Sequence, residues 1–149
     1  MRKLNLPAYE FRYRTEGGSR KVLDVYRKRF VTLTPEEEVR QRFARYLVEE
    51  KGFPASLVMT EYPLKLNTMS RRCDVLVHKP AGTPAVLVEC KAPEVNINQA
   101  VFDQAARYNL VFRVKYLMVT NGMKHYCCTI DFETRQISFL KDIPDYQDL

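Results

Sequence analysis

The apolar and polar positions of this chain break into short segments of two kinds, with a spacing near two in most and near three and a half in two of them. Residues 8–33 alternate aromatic or aliphatic with charged side chains around Glu16-Gly17-Gly18-Ser19, predicting a hairpin with strands Tyr9 to Arg14 and Lys21 to Tyr26. Thr34-Pro35-Glu36-Glu37 is a helix start: a capping threonine, a proline in the first turn, then acids that complement the helix dipole. The helix should run to Lys51, stop at Gly52, and bury a stripe of Val39, Phe43, Tyr46 and Leu47. Leu57 to Leu66 reads as a strand and Asn67 to Ser70 as its turn. Cys73 to His78 and Ala85 to Lys91 are apolar, β-branched runs joined by Lys-Pro-Ala-Gly-Thr-Pro, a second hairpin. A helix from Asn98 to Val111 follows, with Val101, Ala105, Tyr108 and Phe112 on its apolar face. Tyr116 to Thr120 is a central strand buried on both sides, and His125 to Phe132 and Gln136 to Leu140 close the sheet. Helix, strand, hairpin, helix and strand in that order predict an α/β fold, a mixed sheet flanked by helices.

Length and composition narrow this to one domain. The 149 residues, 46% of them hydrophobic, suit a single core, which we place at 34–140, with a peripheral hairpin at 1–33 and an acidic, frayed tail at 141–149. A net charge of +6 and a pI near 9.2 favour a polyanionic partner. Cys73, Cys90, Cys127 and Cys128 lack Cys-x-x-Cys spacing, and only His78 and His125 are available beside them, which argues against zinc. Unpaired, buried cysteines and the absence of a membrane-length apolar run point to a soluble cytoplasmic protein.

The candidate chemistry lies in the second hairpin. With its turn centred on Ala81 and Gly82, paired residue numbers sum to a constant and Asp74 falls opposite Glu89. Alternation places Glu89 and Lys91 on one face, with Val86, Val88 and Cys90 on the other. On an exposed strand Glu-x-Lys is ordinarily a solvated pair, but here it interrupts the most apolar run of the chain. Two half-buried carboxylates side by side need a compensating cation. Oxygen ligands suit Mg²⁺ or Mn²⁺, and a neighbouring lysine suits activation of water and stabilisation of phosphate charge. Lys65, Arg71 and Arg72 precede Asp74; they are placed either to hold a phosphate beside the site or simply as exposed strand-end charges. On the first helix, Glu36 falls within the inward stripe whereas Glu37 and Glu38 point away.

Asp74, fourteen residues, then Glu89-Cys90-Lys91 resembles the Asp…Glu-x-Lys signature of the PD-(D/E)XK nuclease superfamily, with Cys73 where many members carry proline. More closely, Thr34 to Gly122 resembles the N-terminal nuclease domain of type I restriction-enzyme R subunits. The resemblance implies a restriction-endonuclease-like αβββαβ core and Mg²⁺-dependent hydrolysis of DNA. Asp74, Glu89 and the Cys90 carbonyl would hold the metal, and Lys91 would help activate water. A first-helix glutamate, Glu36 ahead of Glu37, would extend the metal shell. Gln104-Ala-Ala-Arg-Tyr108 resembles the Gln-x-x-x-Tyr element of RecB-like members, whose glutamine and tyrosine border the site and assist DNA or lysine positioning. R subunits also carry a helicase motor, and no Gly-x-x-x-x-Gly-Lys-Ser/Thr loop is present here. The chain is therefore expected to act alone or with a separate helicase or specificity partner, and a homodimer would supply the two cuts of a double-strand break. The other readings are a nuclease acting on RNA or on branched or damaged DNA, and a non-catalytic nucleic-acid-binding or assembly module on the same fold.

Overall fold

A computed structural model describes residues 3–149; the first two residues of the predicted 1–33 segment lie outside the described residues. The N-terminal part forms an antiparallel sheet of β1 (Tyr13–Glu16), β2 (Ser19–Asp24) and β3 (Arg29–Thr32). The predicted hairpin thus gains a third strand and its first strand begins at Tyr13, not Tyr9. The Asp24 carboxylate explains the added turn: it accepts the Tyr26 and Arg27 backbone N–H groups at 2.7 and 3.1 Å, and Lys28 then takes a φ of 57°.

Helix α1 (Pro35–Lys51) begins where the sequence predicts. The Thr34 hydroxyl oxygen accepts the Glu37 N–H at 3.0 Å, and Gly52, at φ 72°, ends the helix in the left-handed region that glycine tolerates best. Strands β4 (Val58–Leu66), β5 (Met69–His78), β6 (Pro84–Cys90), β7 (Tyr116–Thr120), β8 (His125–Ile130) and β9 (Ile137–Phe139) form a mixed sheet in that order. Helix α2 (Gln99–Phe112) makes the crossover between the parallel neighbours β6 and β7. The remaining pairs are antiparallel.

Strand alternation assigns the two faces. Val86, Val88 and Cys90, with Tyr116 and Met118, pack against Val39, Phe43, Ala44 and Leu47 of α1. Leu76, Leu87, Leu117 and Val119 pack against Val101, Ala105 and Tyr108 of α2. The adjacent Cys127 and Cys128 divide between the faces, and all four cysteines are free and buried. The tail differs from expectation. Ile143 is buried in the α1-side core and Tyr146 meets the Phe53 ring at 5.3 Å, so acidic composition there masks an apolar anchor. No helix among the described residues is long and apolar enough to cross a membrane.

His125 joins the chain's N-terminal segment to the sheet. Its Nε2 lies 2.8 Å from the Asn5 carbonyl and its Nδ1 2.7 Å from the Thr120 hydroxyl, against the rings of Phe43 and Tyr46. A neutral ring satisfies both, donating from Nε2 and accepting at Nδ1. Burial lowers the His125 pKa below its ordinary 6.5. The unfolded chain therefore takes up the proton first as pH falls, so this contribution to stability is intact above pH 6.5 and is lost below it. Between pH 7.5 and 5.5 the urea midpoint of the wild type should fall relative to that of His125→Asn, whose carboxylates titrate alike; a midpoint difference between the two that does not change with pH would assign the effect elsewhere.

Candidate active site

The β5–β6 register places the two acids. Val75 pairs with Val88, Leu76 with Leu87 and Val77 with Val86, a constant sum that continues to Asp74 opposite Glu89; a bulge shifts the register only beyond Val77. Both carboxylates are buried, 6% and 4% exposed, at the end of the sheet where β5 and β6 diverge. They line a groove of about 780 Å³ bounded by α1, the β4–β5 hairpin and α2. Glu36, Lys65, Arg71, Arg72, Lys91, Gln104 and Tyr108 line it as well, so the candidate side chains from five separate elements meet in one place. Cys90 contributes differently: its thiol is fully buried in the α1-side core, while its backbone N–H donates to Asp74 Oδ2 at 2.7 Å.

Lys91 stands between an acid and an amide. Its Nζ is 3.5 Å from Glu89 Oε1 and donates to Gln104 Oε1 at 3.1 Å; Gln104 Nε2 in turn donates to the Tyr108 hydroxyl at 3.3 Å. The one-turn spacing of Gln104 and Tyr108 on α2 makes this relay possible. Tyr108 is itself buried, so the lysine is held from behind.

Arg40 and Glu61, which no sequence motif marks, complete the site. Arg40 places Nε and Nη2 on the same oxygen, Asp74 Oδ1, at 3.2 and 2.5 Å; Nη1 reaches Glu37 Oε1 at 2.6 Å and Nη2 lies 2.8 Å from Glu61 Oε1. Glu61 occupies the strand position between the Thr60–Val75 and Tyr62–Cys73 pairs, hence facing Asp74, with a φ of 51° that is unusual within a strand. Glu37 is buried, not turned away as the helical projection predicted. The N-terminal sheet covers that flank, and Arg27 donates to Glu37 at 2.8 Å and to Asp24 at 2.5 Å. Arg27 is thereby committed to an internal ion-pair chain rather than to the solvent-facing basic surface its sequence neighbours suggest.

Acids and bases alternate around the groove, but its two buried carboxylates are costly to ionise. Burial pushes the Glu89 carboxyl up to about 8, reinforced by the negative charge of Asp74 and only partly opposed by Lys91. Burial likewise raises Asp74 despite the opposing pull of Arg40, and Glu36 adds further negative potential at both. Among the described residues no three acidic, cysteine or histidine side chains converge tightly enough to enclose an ion by themselves. What is present is four carboxylates, Glu36, Glu61, Asp74 and Glu89, lining an open groove, a donor set that fits a hydrated Mg²⁺ or Mn²⁺ rather than a caged metal. Cysteine chemistry is disfavoured, since burial pushes the Cys73 thiol up to about 12 and Cys90 well above 9.

A structure assigned as a fragment of the HsdR subunit of a type I restriction enzyme from Vibrio vulnificus YJ016 shares this fold with a TM-score of 0.57. The match has 21% identity and covers 78% of this chain and 24% of that one, so the chain spans about a quarter of its length. No curated protein matches the chain. Residues 35–144, however, match the family described as type I restriction enzyme R protein N terminus (HSDR_N). That stretch contains both helices, the whole six-stranded sheet and every acid of the groove, and the chain belongs to this family.

Proposed function

We propose that the groove is the active site of a metal-dependent DNA endonuclease of the PD-(D/E)XK type. The observation that supports this reading above the others is the convergence of the buried Asp74 and Glu89 carboxylates with the Lys91 ammonium at one open groove. Asp74 and Glu89, with the Cys90 carbonyl and with Glu36 directly or through water, would hold Mg²⁺ or Mn²⁺. Bound there, the ion would lower the pKa of water and offset charge on the phosphate. Lys91, positioned by Gln104 and Tyr108, orients the attacking water. Its oxygen bonds to phosphorus as the bond to O3′ breaks, leaving 5′-phosphate and 3′-hydroxyl ends. Lys65, Arg71 and Arg72 hold the flanking phosphates. A partner chain that supplies a motor or sequence specificity, and pairing of two copies for a double-strand break, are compatible with one such site per chain.

The alternative, a binding or assembly module that does not cleave, draws support from Arg40, whose guanidinium occupies Asp74 Oδ1 and competes with any other cation for it. One pair of measurements separates the two. Supercoiled and linear duplex DNA should be cut in Mg²⁺ or Mn²⁺ and remain intact in EDTA, and calorimetry should detect Mn²⁺ binding that Asp74→Asn removes. DNA binding with neither cleavage nor Mn²⁺ uptake would establish the non-catalytic module.

A further inference from the structure

The β4–β5 hairpin outruns the rest of its sheet. Pairing of β5 with β6 extends from His78 only to Val75, yet β4 and β5 stay paired through Tyr62–Cys73, Pro63–Arg72, Leu64–Arg71, Lys65–Ser70 and Leu66–Met69. The two-residue loop Asn67-Thr68 has φ values of 51° and 69°, left-handed at both positions as tight hairpin loops of this length require. Thr68 is β-branched and uncomfortable there, so a stiff turn is retained at some conformational cost. Every residue from Asn67 to Arg72 is exposed, as is Lys65. At about 3.3 Å per residue, the four steps from Cys73 to Met69 carry the tip roughly 13 Å outward.

Its chemistry is one-sided. Between Tyr62 and Cys73 there are three basic residues and no acid. Lys65, Arg71 and Arg72 form no ion pair among the described residues, and the Arg71 guanidinium meets only the Ser70 carbonyl at 3.0 Å and the Met69 sulfur at 3.7 Å. Exposed Arg107 of α2 flanks the tip across a small cleft that also holds Asn67 and Met69. Met69 itself is 54% exposed, an apolar side chain among cations at the far end of the ribbon.

We infer that this ribbon docks into the major groove of B-form duplex DNA and thereby selects double-stranded DNA over RNA and single strands, an inference that rests on the nucleic-acid reading of the adjoining groove. A two-stranded ribbon fits a groove about 12 Å wide and about 8.5 Å deep, which the tip can reach across. The A-form major groove of duplex RNA is too narrow to admit it. Single-strand binders display aromatic platforms for stacking bases. The ribbon's sole aromatic residue, Tyr62, is instead spent on Phe112 and His78, with ring centroids 5.7 and 5.8 Å away. Arg71 and Arg72 supply phosphate and guanine contacts, Asn67 and Met69 the base-edge contacts.

Fluorescence anisotropy in EDTA tests this without any cleavage. The full chain should bind a 25-base-pair DNA duplex on the order of tenfold or more tighter than the matching RNA duplex or single strand. Arg71→Ala/Arg72→Ala should weaken duplex binding by at least about tenfold and reduce the salt dependence by nearly two counterions. Lys115→Ala/Lys141→Ala, which removes the same charge at a distance from the ribbon, should bind like the wild type. Met69→Ala should reduce the preference for DNA over RNA while leaving the salt slope unchanged. Equal or tighter binding to duplex RNA or single strands, or wild-type affinity in the double-arginine variant, would overturn the inference. Failure of the hydrolytic reading has a different signature: intact, ribbon-dependent duplex binding without metal-dependent cutting.

Discussion

Lys91→Met is expected to lower the rate of Mg²⁺-dependent DNA cleavage by about 10²–10⁴-fold, the range spanned by loss of a positioned proton-transfer or charge-stabilising group. The side chain is only partly buried and its aliphatic stem is retained in methionine, so the fold should survive. What disappears is the ammonium held 3.1 Å from Gln104 Oε1 and 3.5 Å from Glu89 Oε1. In the proposed role Lys91 would act on the reacting water and not on the duplex as a whole, so kcat should fall while DNA affinity measured in EDTA stays within about threefold, consistent with the loss of one charge. Retention of more than a tenth of the wild-type rate would remove Lys91 from the reaction. A matching fall in DNA affinity would reassign it to binding.

Arg40→Ala should be the most destabilising single change in the groove, costing about 3–5 kcal/mol, the usual result of removing one partner from a buried ion pair. Small domains are stable by only about 5–15 kcal/mol, so much of the variant should be unfolded at modest urea. The loss follows from what the guanidinium touches. Asp74 and Glu37 are 6% and 5% exposed, and each relies on Arg40 for a charge-assisted hydrogen bond. The network also predicts non-additivity: Arg40→Ala/Asp74→Asn should be more stable than Arg40→Ala alone, since the second change removes the charge that the first left without its partner. Urea melts of the two variants and the wild type provide the comparison. Additive losses, or an Arg40→Ala cost below about 1 kcal/mol, would mean that solvent reaches these carboxylates freely.

The parts of this molecule legible in its sequence are those fixed by local rules. Period-two alternation and a turn centre suffice to set Val75 against Val88 and so bring Asp74 level with Glu89. A threonine cap and a glycine stop suffice to bound α1. Arg40, Glu61 and the inward turn of Glu37 are invisible at that level because their environment is supplied by residues far along the chain. An arginine on a helix reads as surface until a buried aspartate 34 positions later is known to lie above it. Glu61 owes its direction to a left-handed backbone angle that nothing in Thr-Glu-Tyr announces. The tail is illegible for the complementary reason: its composition is acidic, and only the location of Phe53 reveals that Ile143 and Tyr146 have somewhere to pack.

The boundary of the shared family stretch cuts through an electrostatic unit. Residues 35–144 include Glu37, Arg40 and Asp74 but leave behind Asp24 and Arg27, which hold the outer end of the same chain of charges, with Thr60 donating back to Asp24 at 2.7 Å. A minimal cassette transplanted at the alignment border would carry every groove acid yet strand Glu37 with a single cation. The transferable module is therefore larger than the homologous one, and its upstream limit lies before residue 24.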